Sequence, residues 1–270
     1  MSNRTATARL LAPSDSLTVE QVTSVRHWSD FVFSFRTTRP SSFRFRAGEF
    51  VMIGLPGPER PILRPYSIVS PSWDEELEFH SIKLDDGPLT SRLQHIQVGD
   101  DLFLGRKPTG TLVLDALEPG TRLFLLSTGT GVAPFLSILR EPDTWVRYAR
   151  VVLVHSVRSV ADLAYREELE SHLADDPLVR DMALNQFCYV PTVTREPFHT
   201  MGRIPELIAR GRLFDGTLGP KELRPQSDRL MLCGSMAMLK ETKTMLDRLG
   251  FREGSNAQPG HYAVERAFVG

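Results

Sequence analysis

The chain has 270 residues, more than a single domain usually contains, so we expect two domains. Its net charge of −1 gives no reason to expect a nucleic acid or a membrane surface as partner. Only two cysteines occur, which excludes a four-thiolate iron–sulfur cluster within this chain and is typical of a reducing compartment. Because no apolar run approaches the roughly 18 residues that cross a bilayer, we expect a cytoplasmic protein without membrane insertion, and nothing demands more than a monomer.

The first 115 residues are predicted to form short strands. Phe31, Phe33 and Phe35 alternate with other residues at the period of a half-buried strand. Turn-forming clusters such as Pro56-Gly57-Pro58 separate the strands. Short strands at close spacing predict a small antiparallel β-barrel. The further strands are predicted at 18–26, 49–55, 66–70, 76–83, 101–105 and 111–115, with one short helix from Thr90 to Ile96.

A different rhythm follows Glu118-Pro119-Gly120, which we interpret as the boundary between a barrel domain of residues 1–117 and a second domain of residues 118–270. From there, strands alternate with helices. This order predicts crossover connections and an α/β domain, a parallel five-stranded sheet with helices on both faces. The strands are predicted at 122–127, 150–155, 186–193, 229–233 and 261–266, and the helices at 132–140, 160–174, 203–210 and 236–249.

The tetrapeptide Arg64-Pro65-Tyr66-Ser67 contains the residue types that a flavin needs. Successive strand residues point to opposite faces, so Arg64 and Tyr66 share one face. Arg64 can fork onto a phosphate, and Tyr66 can stack on the flavin ring and offer its hydroxyl. An edge strand with a buried tyrosine is the structural alternative, since short motifs recur by chance.

The segment Gly87-Pro88-Leu89-Thr90 precedes the predicted short helix. Pro88 favours a turn, and Thr90 stands at the helix start, where free backbone N–H groups attract an anion such as a pyrophosphate. An ordinary helix cap is the alternative interpretation.

The segment Gly129-Thr130-Gly131-Val132-Ala133-Pro134 follows the first strand of the second domain. Its glycines permit close approach of the backbone to a phosphate, and Pro134 suits a first helical turn. It lacks the third glycine of the dinucleotide fingerprint. The acidic residue expected about 20 residues later is also missing, and Arg158 stands near that place. An arginine there suits a 2′-phosphate and indicates NADP over NAD.

Thr194-Arg195 and Gly202-Arg203 lie just past the third strand of the predicted sheet. Open parallel sheets bind ligands at the carboxyl ends of their strands. Arginines converging there need an anion to neutralise them. We interpret Arg158, Arg195 and Arg203 as a clamp for the 2′-phosphate, with scattered surface cations as the alternative.

Cys233-Gly234-Ser235 ends the fourth strand of the sheet and begins a helix. This position places Cys233 near a bound nicotinamide, as a wall of its pocket. No histidine or aspartate partner is suggested, so we do not interpret it as a nucleophile. The seven histidines have no metal-ligand spacing, and no metal is predicted.

The segment from Arg26 to Arg64 contains seven arginines and three acidic residues. A solvated sheet face explains such a composition. The alternative is a docking patch for an acidic protein, which long-range electrostatic attraction would bring to this face.

Taken in chain order, Arg-x-Tyr-Ser (64–67), Gly-Pro-Leu-Thr (87–90), Gly-Thr-Gly-Val-Ala-Pro (129–134), Thr-Arg (194–195) and Cys-Gly-Ser (233–235) resemble the ferredoxin–NADP reductase family, bacterial type. The resemblance covers nearly the whole chain. It implies FAD and NADP(H) as cofactors and ferredoxin or flavodoxin as partner. It also implies that NADPH passes a hydride to the flavin and that the reduced flavin gives single electrons to the partner.

The resemblance also implies a role for individual residues. The reacting centre comprises Tyr66, Ser67, Cys233 and Glu265. The FAD side comprises Arg64, Pro65, Tyr66, Ser67, His80, Ile82, Lys83, Gly87, Leu89, Thr90, Thr130, Ala267 and Phe268. The NADP side comprises Gly129, Thr130, Gly131, Arg158, Thr194, Arg195, Arg203, Cys233 and Gly234. Ala267 stands where plastid-type members end in a tyrosine stacked on the flavin, and Phe268 continues past it.

Three other functions share some of these motifs. The reductase component of an oxygenase system hands its electrons to a dedicated partner. A free-flavin reductase uses flavin as substrate and does not retain it. A non-catalytic flavin or dinucleotide sensor has the binding site without productive contact between flavin and nicotinamide.

Overall fold

The computed structural model describes residues 13–215 and 219–266. Its first part is a six-stranded antiparallel sheet in the order β4-β3-β6-β1-β2-β5. The edge strands approach each other, because Ile68 and Phe79 form an antiparallel bridge and the Tyr66 and Ser81 hydroxyls are 3.0 Å apart. The sheet is thereby nearly closed into the predicted barrel. Its elements are β1 (Leu17–His27), β2 (Val32–Thr37), β3 (Phe50–Leu55), β4 (Ile62–Ser67), β5 (Leu77–Ile82), α1 (Thr90–Leu93) and β6 (Asp101–Gly105).

Strand β2 is buried on both faces, so the prediction of a half-buried strand was wrong. Phe33 and Phe35 fill the barrel core, as alternation predicts. Ser34 on the opposite face is also buried, and the Trp28 indole donates to its Oγ at 3.1 Å. Phe31 precedes the strand and is 65% exposed. The outer face of β2 is covered because the second domain packs on it, a contact that periodicity does not reveal.

The segment 111–115 was predicted as a strand, and this was wrong: Leu114–Ala116 is a single 3₁₀ turn. Leu112 and Val113 are buried, but among residues of the second domain. Their hydrophobicity therefore reflects packing between the two halves of the chain and not strand pairing. The domain boundary between residues 117 and 118 stays a prediction.

The second part contains five strands that all pair in parallel, in the order β11-β10-β7-β8-β9. The predicted five-stranded parallel sheet is confirmed. The strands are β7 (Arg122–Thr128), β8 (Arg150–Val157), β9 (Phe187–Val193), β10 (Asp228–Gly234) and β11 (Tyr262–Arg266). The helices are α2 (Ala133–Leu139), α3 (Pro142–Arg147), α4 (Arg166–Glu170), α5 (Arg180–Gln186), α6 (Ile204–Ala209) and α7 (Met236–Arg248).

The parallel sheet is covered on both faces because successive side chains of its strands point to opposite sides. Leu123 and Leu125 of β7 pack in a core with residues of α2, α3, α4 and α5. Phe124 and Leu126 pack in another core with residues of α6 and α7. Strands buried on both faces have nearly continuous apolar sequences, which made these strands easy to predict. None of the described helices is long and apolar enough to cross a membrane.

The helix predicted at 160–174 is the largest error of the sequence analysis. Only Arg166–Glu170 is helical there. Val160–Asp162 forms a 3₁₀ turn, and Tyr165 adopts a left-handed conformation that interrupts the chain before the helix. Leu163, Ala164 and Tyr165 are all buried, so their apolar character comes from contacts with other parts of the protein. The apolar spacing that predicted a long helix results from tertiary packing and not from helical structure.

Candidate functional site

A cleft lies where the barrel meets the carboxyl ends of the parallel strands. Barrel residues of β4, β5 and α1 form one wall, and residues that follow β7 or end β10 form the other. Eight of its ten lining residues are among those predicted for the flavin or the nicotinamide. The lining comprises Pro65, Tyr66, Ser67, His80, Ser81, Ile82, Thr90, Thr130, Ala133 and Cys233.

The barrel wall is built around Tyr66 of β4. Its ring packs edge-on against Phe79, and its hydroxyl bonds the Ser81 hydroxyl at 3.0 Å. Burial raises the pKa of Tyr66, so the phenol stays protonated and can donate. Ser81 was missed by the sequence analysis, because the spatial neighbour of Tyr66 depends on which strands close the barrel.

His80 forms part of the same wall as a neutral ring. Its Nδ1 lies 3.1 Å from the Phe33 carbonyl oxygen, and burial lowers its pKa to about 3. His155, at the end of β8, is likewise buried, with its pKa lowered to about 4. Neither ring carries charge at neutral pH, so the histidines near the cleft provide packing and hydrogen bonding.

The predicted pyrophosphate side is formed by the turn before α1. A Cβ on Gly87 would lie 1.9 Å from the Thr90 hydroxyl, so a larger residue does not fit there. Thr90 is buried and its hydroxyl lies 3.4 Å from the Leu84 carbonyl oxygen. Leu89 is buried in the barrel core, which leaves only its backbone for a ligand. Lys83 donates to the Ser29 carbonyl oxygen at 2.6 Å.

The glycine turn after β7 packs directly on the end of β10. A Cβ on Gly131 would lie 2.3 Å from the Cys233 carbonyl oxygen, and one on Gly234 would lie 2.1 Å from the Thr128 hydroxyl. Thr128 Oγ1 accepts from the Ser235 amide at 2.8 Å. The glycines therefore permit two strand ends to touch, and this contact brings Thr130 beside Cys233.

Cys233 and Glu265 are neighbours across β10 and β11. Glu265 Oε2 accepts from the Thr111 amide at 3.1 Å, whereas Oε1 is buried and has no hydrogen-bond partner among the described residues. Burial raises the pKa of Glu265 to about 7. Burial and the charge of Glu265 also raise the pKa of Cys233. The side chain is therefore a neutral thiol and not a thiolate nucleophile.

The loops that carry the predicted phosphate clamp lie side by side. The Arg195 amide donates to the Arg158 carbonyl oxygen at 3.0 Å, and the Thr194 amide donates to Val157 at 3.1 Å. Arg158 and Arg195 are therefore brought together, with exposed side chains. Arg203 is also exposed but pairs with Glu241 at 2.9 Å. Two of the three arginines thus match the predicted arrangement more closely than the third.

Three of the seven arginines between Arg26 and Arg64 form ion pairs within the described part of the protein. Arg36 pairs with two carboxylates, Arg46 with Glu49, and Arg26 with Glu168. The guanidinium of Arg39 donates to backbone carbonyl oxygens. These contacts favour the structural interpretation of the segment over a docking patch.

Ala267 and Phe268 lie outside the described residues. Within the part of the chain that the structure describes, no three His, Cys, Asp or Glu side chains come together as a possible metal site.

Arg64 lies on β4 beside the cleft, and its Nη1 donates to the Leu63 carbonyl oxygen at 2.9 Å.

Comparisons with known proteins cover both halves of the chain. Family models described as an oxidoreductase FAD-binding domain and an oxidoreductase NAD-binding domain match residues 16–113 and 125–244. A flavodoxin/ferredoxin–NADP reductase of Rhodobacter capsulatus is 52% identical over 96% of this chain and 97% of the relative. A ferredoxin–NADP reductase of Pseudomonas aeruginosa is 51% identical over 94% of this chain and 98% of the relative.

The fold agrees with a solved structure as well. A ferredoxin NADP⁺ reductase from Neisseria gonorrhoeae with bound FAD and NADP superimposes with a TM-score of 0.85, at 32% identity over 94% of this chain and 100% of that one. The resemblance found in the motifs is confirmed, and with it the two-part fold. The chain belongs to the ferredoxin–NADP reductase family.

Proposed function

We propose that this chain is an FAD-dependent reductase that exchanges electrons between NADP(H), as a two-electron hydride, and ferredoxin or flavodoxin, in one-electron steps. The observation that carries this proposal is the shared cleft. Tyr66 and Ser67 of the barrel face Thr130 and Cys233 of the parallel sheet across it. These residues would hold a flavin on one wall and a nicotinamide on the other, close enough for a hydride to pass between them.

The residues present fit FAD. Tyr66 and neutral His80 would line the flavin site, Arg64 would provide a cation, and the backbone around Gly87 and Thr90 would approach the ligand near a helix start. When bound, FAD supplies the ability to take up two electrons at once and release them singly, and the protein supplies orientation.

Glu265 is proposed to hold and move a proton at the cleft. Its pKa of about 7 allows either protonation state near neutral pH, and its Oε1 is a buried acceptor without a partner in the described structure. Cys233 is proposed to exclude water and to pack against the nicotinamide. Ser67 is proposed to donate from the cleft wall.

NADP is proposed over NAD because cations stand where an NAD site has an acid. Arg158 and Arg195 lie in adjacent loops with exposed guanidinium groups, which can form charge-assisted hydrogen bonds to a 2′-phosphate. Ferredoxin or flavodoxin as electron carrier is proposed from the relatives, which are named for these partners. A cytoplasmic monomer without nucleic-acid binding is proposed from composition alone.

The test is an anaerobic visible spectrum of the purified protein, followed by additions of NADPH and, separately, NADH. We expect a retained flavin with a band near roughly 450 nm that NADPH bleaches far better than NADH. A retained flavin that ignores both nucleotides identifies a sensor. Protein purified without flavin, but reducing added flavin, identifies a free-flavin reductase.

A second measurement tests the electron carrier. The NADPH-reduced protein is mixed with a ferredoxin, a flavodoxin or an oxygenase component, and reduction of each is followed separately. We expect the first two to be reduced. Reduction of the oxygenase component alone identifies the reductase of an oxygenase system.

A further inference from the structure

Tyr165 lies at the junction of the two domains in a backbone conformation that aromatic residues rarely adopt. Its φ of 59° and ψ of 18° fall in the left-handed region, where a Cβ is crowded and glycine is favoured. Such a conformation persists only where the surrounding contacts hold it, and it is common at functional sites. The contacts of the Tyr165 side chain therefore need a physical account.

The Tyr165 side chain is buried against the barrel. Its hydroxyl donates to Oε1 of Glu78 on β5 at 2.8 Å. Its ring centre lies 4.5 Å from that of Trp28. On another side, the ring packs edge-on against His80, with centres 5.5 Å apart. One aromatic side chain of the second domain thus contacts three residues of the barrel.

Two further bonds attach the same region to the barrel. Ser29 Oγ donates to Asp162 Oδ1 at 2.8 Å, three residues before Tyr165. Arg26 pairs with Glu168 at 2.9 Å, three residues after it. The segment is therefore held at three places, of which the central one is buried.

The two ends of this series of contacts reach two proposed ligand sites. At one end, His80 lines the cleft together with Cys233. At the other end, the segment 158–165 begins at Arg158, whose carbonyl oxygen accepts from the Arg195 amide at 3.0 Å. The segment 158–165 and the contacts of Tyr165 with Glu78 and His80 thus connect the loops of the proposed 2′-phosphate site to the wall of the proposed flavin site.

Resting on the function proposed above, we propose that Tyr165 is a positioning residue for nucleotide specificity. It transmits binding of the 2′-phosphate at the Arg158 loop to the cleft, so that the nicotinamide of NADPH is held more productively than that of NADH. Binding energy from a remote part of a substrate increases the rate only when both sites are held in a definite relation. The bond to Glu78 keeps the tyrosine ring in place against His80.

Tyr165→Phe and Tyr165→Leu test this role, with Tyr262→Phe as matched control. Tyr262 is also buried and its hydroxyl also donates to a carboxylate, Asp247, at 2.8 Å. Its ring belongs to the core on the face of the parallel sheet that α6 and α7 cover. The control therefore loses an equivalent bond without touching the contact between the domains.

The first readout is the ratio of kcat/KM for NADPH to that for NADH. We expect it to fall about 10-fold in Tyr165→Leu and about 3-fold in Tyr165→Phe, and to stay within about 2-fold in the control. A residue that only stabilises the fold lowers both values of kcat/KM equally. Equal losses with NADPH and NADH therefore overturn the proposal.

The second readout does not require turnover. Saturating 2′,5′-ADP, which carries the 2′-phosphate but no nicotinamide, is added to the FAD-loaded protein, and the visible difference spectrum of the flavin is recorded. We expect a difference spectrum in the wild type that shrinks at least about 3-fold in Tyr165→Leu, with binding verified by calorimetry. If Tyr165→Leu at full occupancy gives the same difference spectrum as the wild type, the proposal is overturned.

Glu78 provides an independent pair of variants. Glu78→Gln keeps an acceptor for the tyrosine hydroxyl and should retain most of the NADPH preference, whereas Glu78→Leu should lower it about 3-fold, as Tyr165→Phe does. A wild type without preference for NADPH contradicts the proposed 2′-phosphate site itself. A wild-type preference that survives in all the variants contradicts only the positioning role.

Discussion

The two ends of the parallel sheet differ in how completely their buried charged side chains are hydrogen-bonded. At the amino ends of β7 and β10, Arg122 and Asp228 form a bidentate pair at 2.8 and 2.6 Å. Arg122 also donates to the Pro220 and Glu222 carbonyl oxygens, and Asp228 also accepts from the Arg224 amide. At the carboxyl ends of the same sheet, Glu265 has one buried oxygen that bonds no residue in the part of the chain that the structure describes.

The difference separates a stabilising site from a ligand site. A buried ion pair is tolerated only when its hydrogen bonds are complete, and the amino-end pair meets that condition. An incomplete buried carboxyl reduces stability unless a ligand satisfies it. The same sheet therefore has a paired buried charge at its amino ends and, on β11 at its carboxyl ends, a buried carboxyl with one oxygen that no described residue bonds.

The largest expected effect comes from removing one partner of the buried ion pair between Arg122 and Asp228. Asp228→Ala leaves the Arg122 guanidinium buried and unpaired, and we expect a loss of about 3–5 kcal/mol in the free energy of unfolding, measured by urea denaturation. Asp115→Ala is the control, because its pair with Arg147 is largely exposed, and about 1 kcal/mol or less is expected. Similar losses in both variants would show that the buried pair has no special role.

The pH dependence of stability sharpens the contrast at the cleft. Burial raises the pKa of Glu265 from 4.5 to about 7. Between these two pH values the folded chain therefore holds a proton that the unfolded chain has released. The associated stability is fully present below pH 4.5 and is lost as the pH rises through 7. We expect Glu265→Gln to remove a decline of about 3 kcal/mol between pH 4 and 8.

This decline is measured as the difference between the wild-type and variant profiles of unfolding free energy against pH. Glu253→Gln, at a half-exposed glutamate paired with Lys243, serves as control and should follow the wild-type profile. Parallel profiles for wild type and Glu265→Gln would contradict the presence of an unsatisfied ionisable carboxyl at the cleft.

A smaller effect distinguishes the arginines at the carboxyl end. Arg195→Ala should lower kcat/KM for NADPH about 10- to 100-fold, because a charge-assisted bond to phosphate contributes about 1.5–3 kcal/mol. Arg203→Ala should cost less than about 5-fold, since Glu241 already pairs with its guanidinium. NADH kinetics serve as the control in both variants. Equal losses with NADPH and NADH would remove the assignment to the 2′-phosphate.

Much of the fold followed from local patterns. The strands β7, β8, β9 and β10 are largely apolar on both faces. Gly129 has a positive φ, and a Cβ on Gly131 would clash with the end of β10, so these two glycines mark the turn after β7. The motifs placed Tyr66, Thr130 and Cys233 on different elements, and the structure brings all three to one cleft. These features depend on short stretches of chain, so the amino-acid sequence displays them directly.

Errors arose where burial came from a distant part of the chain. Ser34 on the outer face of β2 and Tyr165 within the segment 160–174 are buried where the two halves of the chain meet, and Leu112 and Val113 pack among residues of the second domain. Ser81 and Glu78 were missed for the same reason, because a serine and a glutamate on a strand give no sign of what faces them. An apolar residue in the sequence indicates that the residue is buried, but it does not indicate which other element covers it.

The amino-acid sequence by itself determined the kinds of element, their order and the chemistry that each could offer, because propensity, glycine turns and motif residues act within a few positions of the chain. Tertiary structure alone decided which of these residues meet. The barrel closure that pairs Tyr66 with Ser81, the bond from the Thr111 amide to Glu265 and the attachment of Tyr165 to Glu78 all join residues distant in sequence, and their energies depend on distance in space.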